Sequence, residues 1–70
     1  MLKPISRREL IKKLKALGFD GPSSGGKHQY MMNENFKIFV PNPHGKDIGT
    51  VLLQRIIKEL GVTAQKFLEL

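Results

Sequence analysis

Two short stretches of alternating side chains, separated by a polar turn, constrain the fold of this 70-residue chain more than any other feature of its sequence. Residues 28–33 and residues 36–40 both place neighbouring side chains on opposite faces, which is the pattern of a β-strand with one buried face. The intervening Asn33-Glu34-Asn35 has the composition of a tight turn. The pattern therefore predicts a β-hairpin.

The alternation also assigns the side chains of the hairpin to two faces. The first strand has one face formed by His28, Tyr30 and Met32. Its other face is formed by Gln29 and Met31. The second strand is expected to turn Phe36, Ile38 and Val40 inward and Lys37 and Phe39 outward. We expect Met31 and Met32 to serve strand packing, although Met31 and Phe39 on an outward face could instead contact a protein partner.

Helical patterns flank the hairpin. Ser6 and Glu9 fit a capping box, and the apolar spacing that follows predicts a first helix over about residues 7–17, ended by Gly18. Its polar side is expected to carry the basic residues Arg7, Arg8, Lys12, Lys13 and Lys15. A second helix, capped by Asp47 and closed by Gly61, is predicted from the spacing of Leu52, Leu53, Ile56, Ile57 and Leu60. Thr63 would cap a last short turn that docks Phe67 and Leu68.

Residues 19–26 are too rich in glycine, serine and proline for a central strand and are compatible with a short edge strand. The predicted order is then α-β-β-β-α, an α+β fold of one domain over residues 1–70. Two helices would cover one face of a three-stranded antiparallel sheet and leave the other face open to a ligand.

Charge and size narrow the function classes. The chain has no cysteine, so hydrophobic packing or a partner protein must stabilise it. The net charge of +6 favours an anionic partner, and nucleic acid is preferred over a membrane. The alternative is that the lysines only solvate the helix faces. No apolar run is long enough for a bilayer span or a signal peptide, which makes the cytoplasm the default location.

The segment Gly25-Gly26-Lys27-His28 carries the chemistry that this sequence most clearly suggests. Gly26 allows close approach of a bulky partner, Lys27 supplies a charge for phosphate, and a histidine can exchange protons near neutral pH. RNA can be cleaved without a metal if a base removes the 2′-hydroxyl proton and cations stabilise the transition state. The alternative is that His28 is an ordinary exposed strand residue.

Other residues give weaker signals. His44 either joins His28 or is a polar loop residue, and two histidines without a placed carboxylate or thiolate do not predict a metal site. Lys37 and Lys46 are expected as secondary phosphate contacts. Tyr30 and Phe39 could stack on bases, which leaves Phe36 and Phe67 as the expected aromatic members of the core.

Several short motifs, in order and spacing, resemble the HicA (YcfA-like) toxins of prokaryotic toxin–antitoxin modules. The resemblance covers nearly the whole chain. The matching segments are Ser6 to Leu14, Gly18-Phe19, Gly26-Lys27-His28, Val40-Pro41, Lys46 to Ile57 and Leu60 to Phe67. The chain departs from the family pattern at Ser23, often an arginine, at Lys27, more usually a serine, and at Val51, commonly a glycine.

The resemblance implies a double-stranded-RNA-binding-domain-like fold and a ribosome-independent mRNA interferase. It implies a single catalytic histidine at His28 and a HicB-type antitoxin that covers the active site. Separately, the sequence lacks a carboxylate cluster of the kind that holds Mg²⁺, so we expect no cofactor. The alternatives are a catalytically silent RNA-binding module of the same fold and a protein-interaction domain that binds an antitoxin-like partner without touching RNA.

Overall fold

The computed structural model of the protein describes residues 2–25 and 28–70. The elements in chain order are α1 (Arg7–Ala16), β1 (Asp20–Gly25), β2 (His28–Asn33), β3 (Phe36–Val40), α2 (Thr50–Leu60) and α3 (Ala64–Leu68). The architecture is α+β and confirms the predicted α-β-β-β-α order. The expected last turn is the short helix α3.

The three strands form an antiparallel sheet in the order β1-β2-β3, so the glycine-rich β1 is an edge strand as predicted. The register of the hairpin pairs Tyr30 with Phe39 and Met31 with Ile38. The register of β1 shifts between Asp20 and Ser23. At this irregularity Gly21 has φ +127°, and a β-carbon there would lie 3.1 Å from the carbonyl oxygen of Tyr30. The close approach of β1 to β2 therefore requires glycine.

The core lies on one face of the sheet, between the strands and the helices. Its sheet side consists of Met31, Ile38 and Val40, and its helical side of Leu10, Leu14, Leu53, Ile56, Ile57 and Phe67. Met31 is fully buried, so the alternative that it meets a partner on an outward face is wrong. Its cross-strand neighbour Ile38 shares the buried face, which places the side chains of Tyr30 and Phe39 on the opposite face.

Phe36 departs from the prediction of a core position. It is 45% exposed, because it lies at the turn end of β3, where it contacts Phe19 in a T-shaped arrangement at a centroid distance of 5.9 Å. Alternation gives the face of a strand residue but not how far the helical layer extends over that face. Leu68 is also 40% exposed, so only Phe67 of the predicted pair docks in the core. Adjacent residues of a helix point about 100° apart, so these two cannot both face the core.

Helix ends follow the predicted chemistry at three of the five predicted caps. At the end of α1 the C-cap is Leu17, and the predicted Gly18 follows it with φ 95°. The amide of Glu9 donates to Ser6 Oγ at 3.1 Å, and the amide of Lys66 donates to Thr63 Oγ1 at 3.0 Å. Gly61 ends α2 in the left-handed conformation, with φ 73°. Asp47, however, does not cap α2, whose N-cap is Gly49 and makes no side-chain hydrogen bond.

The segment between β3 and α2 is tied to the start of the chain. Ile48 and Ile5 form an isolated antiparallel bridge with amide–carbonyl hydrogen bonds of 2.7 and 3.2 Å. Because Ile5 lies two residues before α1, this bridge holds the first turn of α1 beside the loop that leaves β3. Among the described residues, no helix has the length and apolar character needed to cross a membrane.

Candidate active site

A cleft of about 690 Å³ opens where β2 begins and β3 ends. The strand ends contribute His28, Gln29, Phe39 and Val40 to its lining. Helix α2 contributes Leu52, Arg55, Ile56 and Glu59 from the opposite side. The loop after β3 and the first residue of α1 complete the lining with Pro41, Asn42, His44 and Arg7. The cleft therefore combines an apolar floor with cationic, imidazole and carboxylate groups.

His28 lies at the rim of this cleft as the first residue of β2. Its backbone pairs with Gly25 across the β1–β2 ladder, and its side chain is exposed. The imidazole packs against Phe39, with the ring centroids 6.3 Å apart and the ring planes at 72°. A strand backbone and an aromatic neighbour thus position the side chain while leaving it accessible to a ligand, as a proton-transfer group requires.

Arg7 is a cleft residue that the sequence alone did not single out. Its guanidinium donates a hydrogen bond to the side-chain oxygen of Gln29, the neighbour of His28 on β2. Its Nε is buried and has no hydrogen-bond partner among residues 2–25 and 28–70. A buried guanidinium nitrogen without a partner is costly unless a ligand or water satisfies it. Arginine is also the side chain best suited to bidentate binding of phosphate.

Arg55 and Glu59 line the cleft from α2 and were likewise not selected from the sequence. Both are exposed and lie one helical turn apart. The amphipathic pattern of α2 predicted which residues are buried, but it does not say that the polar edge of the helix faces the end of β2. The cleft therefore holds one cationic and one anionic side chain that the sequence pattern around His28 did not indicate.

His44 lines the same cleft as His28 and is at the same time a polar loop residue, so the structure is compatible with both interpretations. It is exposed, in the loop after β3, with φ 57° followed by Gly45 at φ 85°. Lys46 is exposed in the same loop and lies outside the cleft lining formed by the described residues. Among residues 2–25 and 28–70, no group of three histidine, cysteine or acidic residues is placed to hold a metal ion.

The other predicted RNA contacts lie on the open face of the sheet or outside the described residues. Lys37 Nζ lies 4.3 Å from the ring centroid of Tyr30 and 5.8 Å from that of Phe39. This face adjoins the cleft, because Phe39 belongs to both. The predicted contacts Gly26 and Lys27 fall outside the described residues.

Comparison with known protein families gives a match over most of the chain. A family model described as the HicA toxin of bacterial toxin–antitoxin matches residues 7–62, from the first residue of α1 to the residue after the C-cap of α2. No curated protein and no solved structure matches the chain.

Proposed function

We propose an RNA-cleaving function for this chain, which belongs to the HicA toxin family of bacterial toxin–antitoxin systems. In this proposal the protein is a ribosome-independent mRNA interferase, active in the cytoplasm without a metal cofactor. His28 is its one catalytic histidine. The observation that carries the proposal is the position of His28, exposed at the rim of a cleft that also holds Arg7 and Arg55.

The proposed reaction uses the substrate's own 2′-hydroxyl as the nucleophile. His28 takes the proton from this hydroxyl, the 2′-oxygen bonds to phosphorus, and the bond from phosphorus to the 5′-oxygen breaks. The departing 5′-oxygen takes up a proton. The products therefore carry a 2′,3′-cyclic phosphate and a 5′-hydroxyl.

Cations must stabilise the extra negative charge on the phosphorane. Arg7 and Arg55 are the described side chains that line the cleft and suit this role. Lys27, next to His28 in the chain, is proposed as a further contact near the scissile phosphate, and Gly26 as the point of close backbone approach. Lys37, Lys46 and Tyr30 are proposed to bind flanking nucleotides.

A toxin with an open catalytic cleft requires a partner that blocks it. Family membership supports a cognate antitoxin, and we propose a HicB-type protein that covers the cleft around His28. The net charge of +6 favours an acidic surface on that partner. The same charge favours RNA as the substrate.

The test is cleavage of purified RNA by wild type and by His28→Ala. We expect the variant to keep its unfolding temperature, since His28 is exposed, and to lose roughly 100-fold or more in cleavage rate, as is typical for removal of an acid–base group. Gln54→Ala, an exposed position on α2 outside the cleft lining, is the control and should cleave at the wild-type rate. RNA binding without cleavage by the wild type would instead indicate a catalytically silent binding module.

A further inference from the structure

The open face of the sheet carries a cluster of aromatic and cationic side chains that do not belong to the hydrophobic core. Tyr30 and Phe39 are direct cross-strand partners on this face, and Lys37 places its ammonium group over both rings. His28 extends the cluster toward the cleft through its contact with Phe39. We refer to these four residues, Tyr30, Lys37, Phe39 and His28, as the sheet-face cluster.

Phe39 is the most informative member because 59% of its side chain is exposed. The helices pack against the other face of the sheet, so no described helix covers the ring of Phe39. Phe36 on the same strand provides a comparison: it is also partly exposed, but it is on the helical face and packs against Phe19. Of the two exposed phenylalanines on β3, only Phe39 presents its ring beside the proposed catalytic histidine.

We propose that the sheet-face cluster binds unpaired RNA nucleotides, with one base stacked on Phe39 and an adjacent phosphate bound by Lys37. This inference rests on the proposed function and specifies its substrate class as single-stranded RNA. Aromatic rings that alternate with cationic groups are the usual platform for single strands, because every base has a face that can stack. An ammonium group over two rings suits a ligand that is both planar and anionic.

Chemistry and position favour RNA over the antitoxin as the occupant of this face. An acidic protein surface could also pair with Lys37, but a nucleotide brings a planar base to the adjacent rings together with its phosphate. The contact between Phe39 and His28 also means that a base stacked on Phe39 brings its own backbone to the imidazole. Stacking would then position the scissile phosphate as well as add affinity.

Base pairing should abolish this mode of binding. Inside a duplex both faces of each base are already stacked on neighbouring bases, so a ring on a protein surface cannot reach them without unstacking the helix. The same nucleotide sequence is therefore a substrate when unpaired and is protected when annealed to a complementary strand. This sets the chain apart from proteins that recognise duplex RNA by its shape.

The inference is tested with a 2′-O-methyl oligoribonucleotide, which lacks the nucleophilic hydroxyl and so reports binding whether or not the protein is a nuclease. Wild type, Phe39→Leu and the matched control Phe36→Leu are titrated with the single strand and with its duplex. We expect Phe39→Leu to weaken single-strand binding by roughly 5- to 100-fold, the range that loss of one base stack produces. Phe36→Leu should bind within about 2-fold of wild type, and the duplex should bind weakly to all three.

Equal single-strand affinities for Phe39→Leu and wild type would overturn the inference. So would duplex binding as tight as single-strand binding by the wild type. If Phe39→Leu keeps RNA affinity but loses affinity for a purified HicB-type antitoxin, the sheet face is a protein interface and the inference is wrong. Loss of binding only in Phe39→Leu supports the inference even if unmodified RNA is not cleaved.

Discussion

Two adjacent arginines at the start of α1 have different environments at the residue scale. Arg7 lines the cleft, donates a hydrogen bond to Gln29 and has a buried Nε that no described residue satisfies, whereas Arg8 is exposed beside Glu9 and Lys12. From the sequence alone, Arg7 and Arg8 cannot be distinguished. The Ile5–Ile48 bridge and the burial of Leu10 and Leu14, which are contacts between distant parts of the chain, set which arginine reaches the cleft.

Replacing Arg7 should therefore lower activity in a way that replacing Arg8 does not. We expect Arg7→Gln to reduce the cleavage rate about 10-fold or more, because a cation near the phosphate is lost, and Arg7→Lys to recover only part of the rate, because it lacks the bidentate fork. Arg8→Gln is the matched control and should stay near the wild-type rate. Thermal unfolding of all three variants separates a catalytic effect from a loss of fold, and equal rates for Arg7→Gln and Arg8→Gln would exclude Arg7 from the site.

At the scale of elements, the short helix α3 depends on a lysine that the sequence pattern placed on the polar side of α1. Lys13 is instead only 7% exposed. Its Nζ donates to the carbonyl oxygens of Phe67 and Leu70, each at 3.2 Å, and lies 5.3 Å from the centre of the Phe67 ring. The ammonium group thus satisfies carbonyls at the C-terminal end of α3, where a helix also favours positive charge.

Lys13→Met should accordingly destabilise the protein by about 1–3 kcal/mol, since methionine keeps the apolar stem but removes the charged donor that the carbonyls of Phe67 and Leu70 share. Lys12→Met, at the neighbouring exposed position, should change the free energy of unfolding by about 0.5 kcal/mol or less. Urea unfolding followed by circular dichroism measures both. A Lys13→Met protein as stable as Lys12→Met would show that the contact to α3 contributes nothing.

The elements also show which structural features can be predicted from this sequence. Alternation and a polar turn predict the extents of β2 and β3, and Gly61 predicts the end of α2. The structure confirms these short-range predictions. The roles of Asp47, Phe36 and Lys13 depend on where another element ends or packs. For the same reason His28 could be selected from its local motif, whereas Arg7 and Arg55 could not.

At the scale of the whole molecule, the proposed RNA contacts lie on the open face of the sheet and in the adjoining cleft, whose lining includes the core residues Val40 and Ile56. Helices and core residues occupy one face, and the open face with the adjoining cleft holds every described residue that we assign to RNA except Lys46. In this account a single RNA strand lies over the sheet-face cluster and presents its backbone at His28. The antitoxin then needs to cover only one side of a small domain.

The most direct test of this account is a single 2′-deoxy substitution at a mapped cleavage site. The site is first located in a single-stranded RNA cleaved by the wild-type protein, and the 2′-hydroxyl at that nucleotide alone is then replaced by hydrogen. We predict that cleavage at this site stops, and that the unmodified RNA gives 2′,3′-cyclic phosphate and 5′-hydroxyl ends in the presence or absence of a chelator. Cleavage of the substituted strand, or products with 5′-phosphate ends, would contradict the role assigned to His28.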